Sequence, residues 1–160
     1  EAKAVGDYQR QGGAYRLVGC PVGYLLVNYS LDEQHCKRCE AFTYSLSPLD
    51  GCVRGNGGET VCGDRPCQRC PTQGAVCEGL DDFKPLVEGS VWAVETDKGV
   101  HSWRLQRCPA GYLAVRNGSA ASDAQMDQCW QCPPGTYALQ PAVYPHTMSA
   151  PAVTEALALC

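Results

Sequence analysis

Twelve cysteines in 160 residues fall into two copies of one arrangement. The first copy runs Arg16-Leu17, Cys20-Pro21-Val22-Gly23-Tyr24-Leu25, Cys36-x-x-Cys39 and Thr43-Tyr44-Ser45-Leu46. The second runs Arg104-Leu105, Cys108-Pro109-Ala110-Gly111-Tyr112-Leu113, Cys129-x-x-Cys132 and Thr136-Tyr137-Ala138-Leu139. Cys39 precedes Cys67 by 28 positions, and Cys132 precedes Cys160 by 28. A fixed period of this kind marks a tandem module in which each unit packs mainly on its neighbours. The period divides the chain into repeat 1, residues 1–86, and repeat 2, residues 87–160. An insertion at 47–66, carrying Cys52 and Cys62, is particular to repeat 1. Repeat 2 stops where its own Cys-x-x-Cys-Pro stretch should begin, as expected of a segment cut from a longer array.

The fold class expected is small and disulfide-rich: tandem cysteine-rich modules with short β-hairpins, mostly irregular and elongated. Isoleucine is absent and no apolar run is long enough for a core helix. Cross-links therefore have to do much of what a hydrophobic core does in other domains. Residues 5–18 predict a hairpin around Gly12-Gly13, and Val91–Leu105 predicts another around Thr96-Asp97-Lys98-Gly99. Side-chain alternation places Tyr15 with Leu17 on one face and Trp103 with Leu105 on another, each packing on the first disulfide of its copy. Residues 140–153 read as an extended surface segment, and Pro151–Ala158 as room for one helical turn.

Internal symmetry suggests a pairing. Cys20–Cys36 would match Cys108–Cys129, and Cys39–Cys67 would match Cys132–Cys160. Cys52–Cys62 and Cys70–Cys77 would use the remainder. Sequence alone does not determine connectivity, and the departure around Cys52 and Cys62 leaves that part most open. Closing a loop the size of Cys20–Cys36 stabilises by about 3 kcal/mol in the chain-entropy model.

Cys-Pro-x-Gly-Tyr followed by Cys-x-x-Cys and Thr-Tyr-x-Leu resembles the ephrin-receptor-like cysteine-rich repeats, which are similar to EGF-like and TNF-receptor-like modules. Cys67-x-x-Cys70-Pro71, Gly74-Ala75-Val76-Cys77-x-Gly79 and Glu88-Gly89-Ser90-Val91-Trp92 add to the likeness. It covers about residues 5–140 and extends to receptor-like surface proteins of algae and other protists. The resemblance implies an extracellular or cell-surface location, with other extracellular proteins or copies of the same chain as partners.

Two N-glycosylation sequons, Asn28-Tyr29-Ser30 and Asn117-Gly118-Ser119, lie eight and nine residues after the first cysteine of their copies. Their near-equivalence points to a secreted glycoprotein carrying N-linked glycans. The formal net charge of −4 comes without any basic stripe, so a nucleic-acid partner is not expected. No stretch is apolar enough to span a bilayer. No catalytic motif stands out, so the chain is not expected to be an enzyme, and no cofactor is implied. Asp81-Asp82 with Glu78 reads as a solvated acidic turn, because no ligand-spaced calcium loop surrounds it.

The reading expected is a structural or interaction module of a secreted or cell-surface glycoprotein, a disulfide-stapled spacer or assembly segment. The alternative is a ligand-binding receptor ectodomain. A third is a zinc protein, because paired Cys-x-x-Cys motifs can close a thiolate tetrahedron. Tyr24, Tyr112, Trp92, Trp103 and Trp130 offer either a contact face or a local core over the bridges.

Overall fold

The computed structural model of the chain describes residues 5–58, 60–63, 65–77, 83–116, 126–138, 143–145 and 160. Among these there are fifteen short strands, no α-helix and six disulfides. The molecule is thus small, strand-rich and disulfide-rich, with more regular strand than the abundance of turn residues led us to expect. Asn117, Asp81-Asp82 and the turn anticipated at 151–158 lie outside the described residues. Chain contacts divide the molecule into two units. The first reaches Gln68, and the second holds Arg69–Cys77 and the chain from Phe83 onward. The division of contacts therefore gives Arg69–Cys77 to the second unit, ahead of the boundary suggested by the repeat period.

The first unit opens with the hairpin of β1 (Asp7–Gln11) and β2 (Ala14–Gly19). Its two turn residues, Gly12 and Gly13, have φ of 58° and 88°. Two consecutive left-handed residues match the right-handed twist of the flanking strands, and glycine adopts them without steric cost. β3 (Tyr24–Asn28) pairs antiparallel with β4 (Gln34–Arg38). After the short β5 (Thr43–Tyr44) come β6 (Cys52–Arg54) and β7 (Thr60–Cys62). These last two form a hairpin whose second strand meets β3 at Asn28, giving the sheet order β4-β3-β7-β6. The insertion is therefore an extension of the repeat's own sheet.

The short β8 (Gln68–Arg69) falls at the division, and in the second unit β9 (Ala75–Cys77) pairs with β10 (Phe83–Pro85). β11 (Val91–Asp97) and β12 (Val100–Arg107) form the second hairpin, turning on Lys98 and Gly99. β13 (Tyr112–Arg116) pairs antiparallel with β14 (Gln128–Gln131) and parallel with β15 (Val143–Pro145). Part of the segment read as extended surface is thus a sheet strand. It takes the edge of β13 that corresponds to the edge of β3 covered by β7.

Each unit has its own core. Leu17, Cys20, Leu26 and Cys62 form one, with Tyr8, Tyr24, Cys36 and Cys52 packed on it. Leu105, Cys108 and Ala114 form a second, with Trp92, Tyr112 and Cys129. Leu113, Cys132 and Ala138 form a third, against Cys160. Leu113, Ala114 and Val115 are consecutive and all buried, so β13 is covered on both faces. Leu25, Leu26 and Val27 of β3 are buried in the same way.

Candidate functional site

The two copies share a backbone frame, visible in matched hydrogen bonds. Tyr24 N–H donates to the Pro21 carbonyl at 3.1 Å, and Tyr112 N–H to Pro109 at 3.2 Å. Gly23 and Gly111, at φ of 83° and 86°, supply the third position of these turns. A type II turn needs positive φ there, which is why Cys-Pro-x-Gly recurs. Cys39 N–H donates to Gly23 O and Cys132 N–H to Gly111 O, both at 2.9 Å. Thr43 Oγ1 donates to Glu40 O at 2.7 Å and Thr136 Oγ1 to Pro133 O at 2.6 Å.

The staples sit on this frame. Cys20–Cys36 and Cys108–Cys129 join each Cys-Pro turn to the strand opposite. Cys39–Cys67 and Cys132–Cys160 close the two 28-residue segments. Cys52–Cys62 links directly opposed residues of the β6–β7 hairpin, and Cys70–Cys77 closes the Pro71–Gly74 turn. No cysteine is free. Among the described residues no cluster of His, Cys, Asp or Glu is arranged to hold a metal ion.

The structure reveals a position that sequence inspection missed, two residues before the second cysteine of each copy. In repeat 2 it is Asp127, wholly buried, whose Oδ2 accepts from Leu105 N–H at 3.0 Å and from Arg104 Nε at 2.8 Å. Arg104 Nη2 adds a bond to Oδ1 at 3.1 Å, making a forked, buried ion pair. In repeat 1 the same place is Gln34, whose Oε1 accepts from Leu17 N–H at 2.8 Å. The Gln34 amide nitrogen donates instead to Tyr15 O and Leu31 O, and Arg16 stays exposed. The recurring Arg-Leu was visible in the sequence, but its partner changes type between copies and hides the correspondence.

Around the Arg104 pair the second unit is tightly packed. A Cβ at Gly74 would run into the Asp127 carbonyl and come within 2.8 Å of the Trp92 ring. Phe83 meets Trp92 edge-on at 5.2 Å and stacks on Trp103 at 4.7 Å. At the margin, Glu95 accepts from Gln106 at 2.6 Å and from Arg116 at 3.0 Å. Partial burial works against its charged form. The Gln106 and Arg116 hydrogen bonds, with the charges of Arg116 and Arg104, outweigh that and hold its carboxyl below the usual range.

Of the two readings of these aromatic residues, the local core is the one that holds for Tyr24, Tyr112 and Trp92. Tyr24, Tyr112 and Trp92 pack on the cores, and Trp103 lies against Phe83. Tyr15, expected to share the buried face of Leu17, is 64 % exposed, because the β1–β2 hairpin reaches past the core it covers at Leu17. Phe42 and Tyr137 are exposed as well.

Asn28 ends β3, half-buried, opposite Gln34 and Cys62. It borders a cavity of about 330 Å³ shared with Arg16, Tyr29, Leu31 and Thr60. The strand register identifies the second-copy counterpart of Asn28. Val27 pairs with His35 and Val115 with Gln128, so the counterpart of Asn28 is Arg116, the partner of Glu95.

Comparison with family models, with curated proteins and with solved structures returns no match.

Proposed function

We propose that this chain is a non-catalytic structural and interaction module of a secreted or cell-surface glycoprotein. Its partners are other extracellular proteins or further copies of the same chain. The supporting observation is that all twelve cysteines are consumed in six disulfides, four of which form two matched pairs on one recurring backbone frame. Such dense cross-linking persists in oxidising compartments and is rare in the cytosol. No helix among the described residues is long and apolar enough to cross a membrane. The ephrin-receptor-like resemblance of the Cys-Pro-x-Gly-Tyr and Cys-x-x-Cys motifs supports the same reading. Exposed Tyr15, Phe42 and Tyr137 favour protein contact, since solvent-facing aromatics supply much of the energy of interfaces.

Production through a eukaryotic secretory pathway tests this reading. The expected product is folded, releases no titratable thiol in denaturant and contains no zinc. Thiols that appear only after metal removal would favour the intracellular zinc protein. Saturable capture of a soluble partner by the isolated chain would favour the receptor ectodomain over the spacer.

A further inference from the structure

The cavity beside Asn28 has an unusual set of walls. Asn28 itself opens onto it, and its side-chain amide has no hydrogen-bond partner among the described residues. Arg16 contributes an exposed guanidinium that is likewise unpaired among those residues. Thr60 adds a hydroxyl, while Tyr29 and Leu31 add apolar surface that is 53 % and 49 % exposed. The Tyr29 ring is held in place by the Gly63 backbone, where an added Cβ would lie 2.6 Å from the phenolic oxygen. A volume of about 330 Å³ sits at the low end of the ~300–1,000 Å³ typical of ligand pockets, enough for one sugar ring.

We infer that this cavity is the seat of the first N-acetylglucosamine of a glycan linked to Asn28. The inference rests on the reading of the chain as a secreted glycoprotein. Asn28 is the acceptor of the Asn28-Tyr29-Ser30 sequon, and its side-chain amide nitrogen is the atom that would carry the sugar. A sugar joined there is tethered at the cavity mouth, so its local concentration is high and weak contacts suffice to seat it. The Tyr29 ring offers a flat apolar platform to the sugar's C–H face. Arg16 and Thr60 offer polar groups to its hydroxyls and acetamide carbonyl. Among the described residues of the second copy, Arg116 holds the position corresponding to Asn28 and is paired with Glu95.

The test uses the whole chain secreted from a eukaryotic host, with glycan occupancy read by peptide mass spectrometry. Asn28 is expected to be occupied. Trimming the glycan to its first sugar should leave the Tm unchanged, whereas Asn28→Gln should lower it by about 2–4 °C. Tyr29→Ala preserves the sequon and should shrink that difference, as a double-mutant cycle between contacting groups requires. If Tyr29→Ala fails to be secreted, the rate at which an amidase releases the glycan from native and denatured wild-type protein serves instead. Release from the native form should be at least tenfold slower. An occupied Asn28 whose loss leaves the Tm unchanged, or equal release from both forms, overturns the seat but leaves the secreted-glycoprotein reading intact. A bare Asn28 on fully oxidised, secreted protein overturns the seat as well. A bare Asn28 on protein with free thiols removes the reading on which it rests.

Discussion

Phe42 holds φ at 61° in the turn from Glu40 to Thr43, and the corresponding residue of the second copy is Gly135 at 82°. A bulky side chain in the left-handed region costs about 1–2 kcal/mol, and this one is 64 % exposed, so packing returns little. Phe42→Gly should therefore stabilise the protein by about 0.5–1 kcal/mol in urea unfolding, after allowance for glycine's greater freedom in the unfolded chain. A loss of stability would show that the ring packs more than its exposure implies. The Arg104–Asp127 pair predicts a contrast between copies. Asp127→Ala removes the carboxylate that grips the buried Arg104 guanidinium and should cost about 3–5 kcal/mol, with a smaller cost once Arg104 is also removed. Gln34→Ala should cost only about 1–3 kcal/mol, since it strands the neutral Leu17 N–H. Equal costs would contradict the account. Glu95 predicts the acid response. Its folded carboxyl is held below the ordinary value, so its contribution is present above that value and fades as pH falls through the lowered one. Glu95→Gln should flatten this acid limb of the stability–pH curve, and an unchanged limb would contradict the assignment. None of these partners was legible beforehand. Asp127 and Gln34 differ in type, and only folding brings them to Arg104 and Leu17.

At the scale of elements, the turns and hairpins were legible because glycine marks them. Gly12-Gly13 and Gly99 stand where positive φ is needed, and Gly23 and Gly111 complete matching turns. What joins the hairpins was not legible. The insertion at 47–66 contributes β6 and β7 to the sheet of β3, and Val143–Pro145 pairs parallel with β13. Both are non-local pairings with no periodic signature in a three-residue strand. Their physical cause is clear in retrospect, since β3 and β13 each carry three consecutive buried apolar residues. Such strands demand cover on both faces and both edges. Amide hydrogen exchange should accordingly find β3 and β13 the slowest strands of their units, with β1 among the fastest. Rapid exchange throughout β13 would contradict the pairing with β15.

At the scale of the molecule, the period of the cysteines carried most of what the sequence conveyed, because one pairing satisfies both copies and leaves no thiol over. The contacts of Arg69–Cys77 with the second unit were not conveyed, since they depend on Gly74 fitting against Trp92 and Asp127. Gly74→Ala should destabilise by about 1–3 kcal/mol, because the methyl has no room there. Its effect should fall on unfolding signals from Trp92 and Trp103. The cores are small clusters in which cysteines stand beside leucines, and each contains or touches at least one disulfide sulfur. Closing a 28-residue segment stabilises by about 3–4 kcal/mol in the chain-entropy model. Reduction should therefore unfold both units together with their strands. The most direct measurement is a mass-spectrometric peptide map of the unreduced, secreted protein. The predicted result is six links and no others: Cys20–Cys36, Cys39–Cys67, Cys52–Cys62, Cys70–Cys77, Cys108–Cys129 and Cys132–Cys160. Alkylatable cysteines, or a link of Cys20–Cys36 or Cys39–Cys67 type found in one copy and not in the other, would contradict the account.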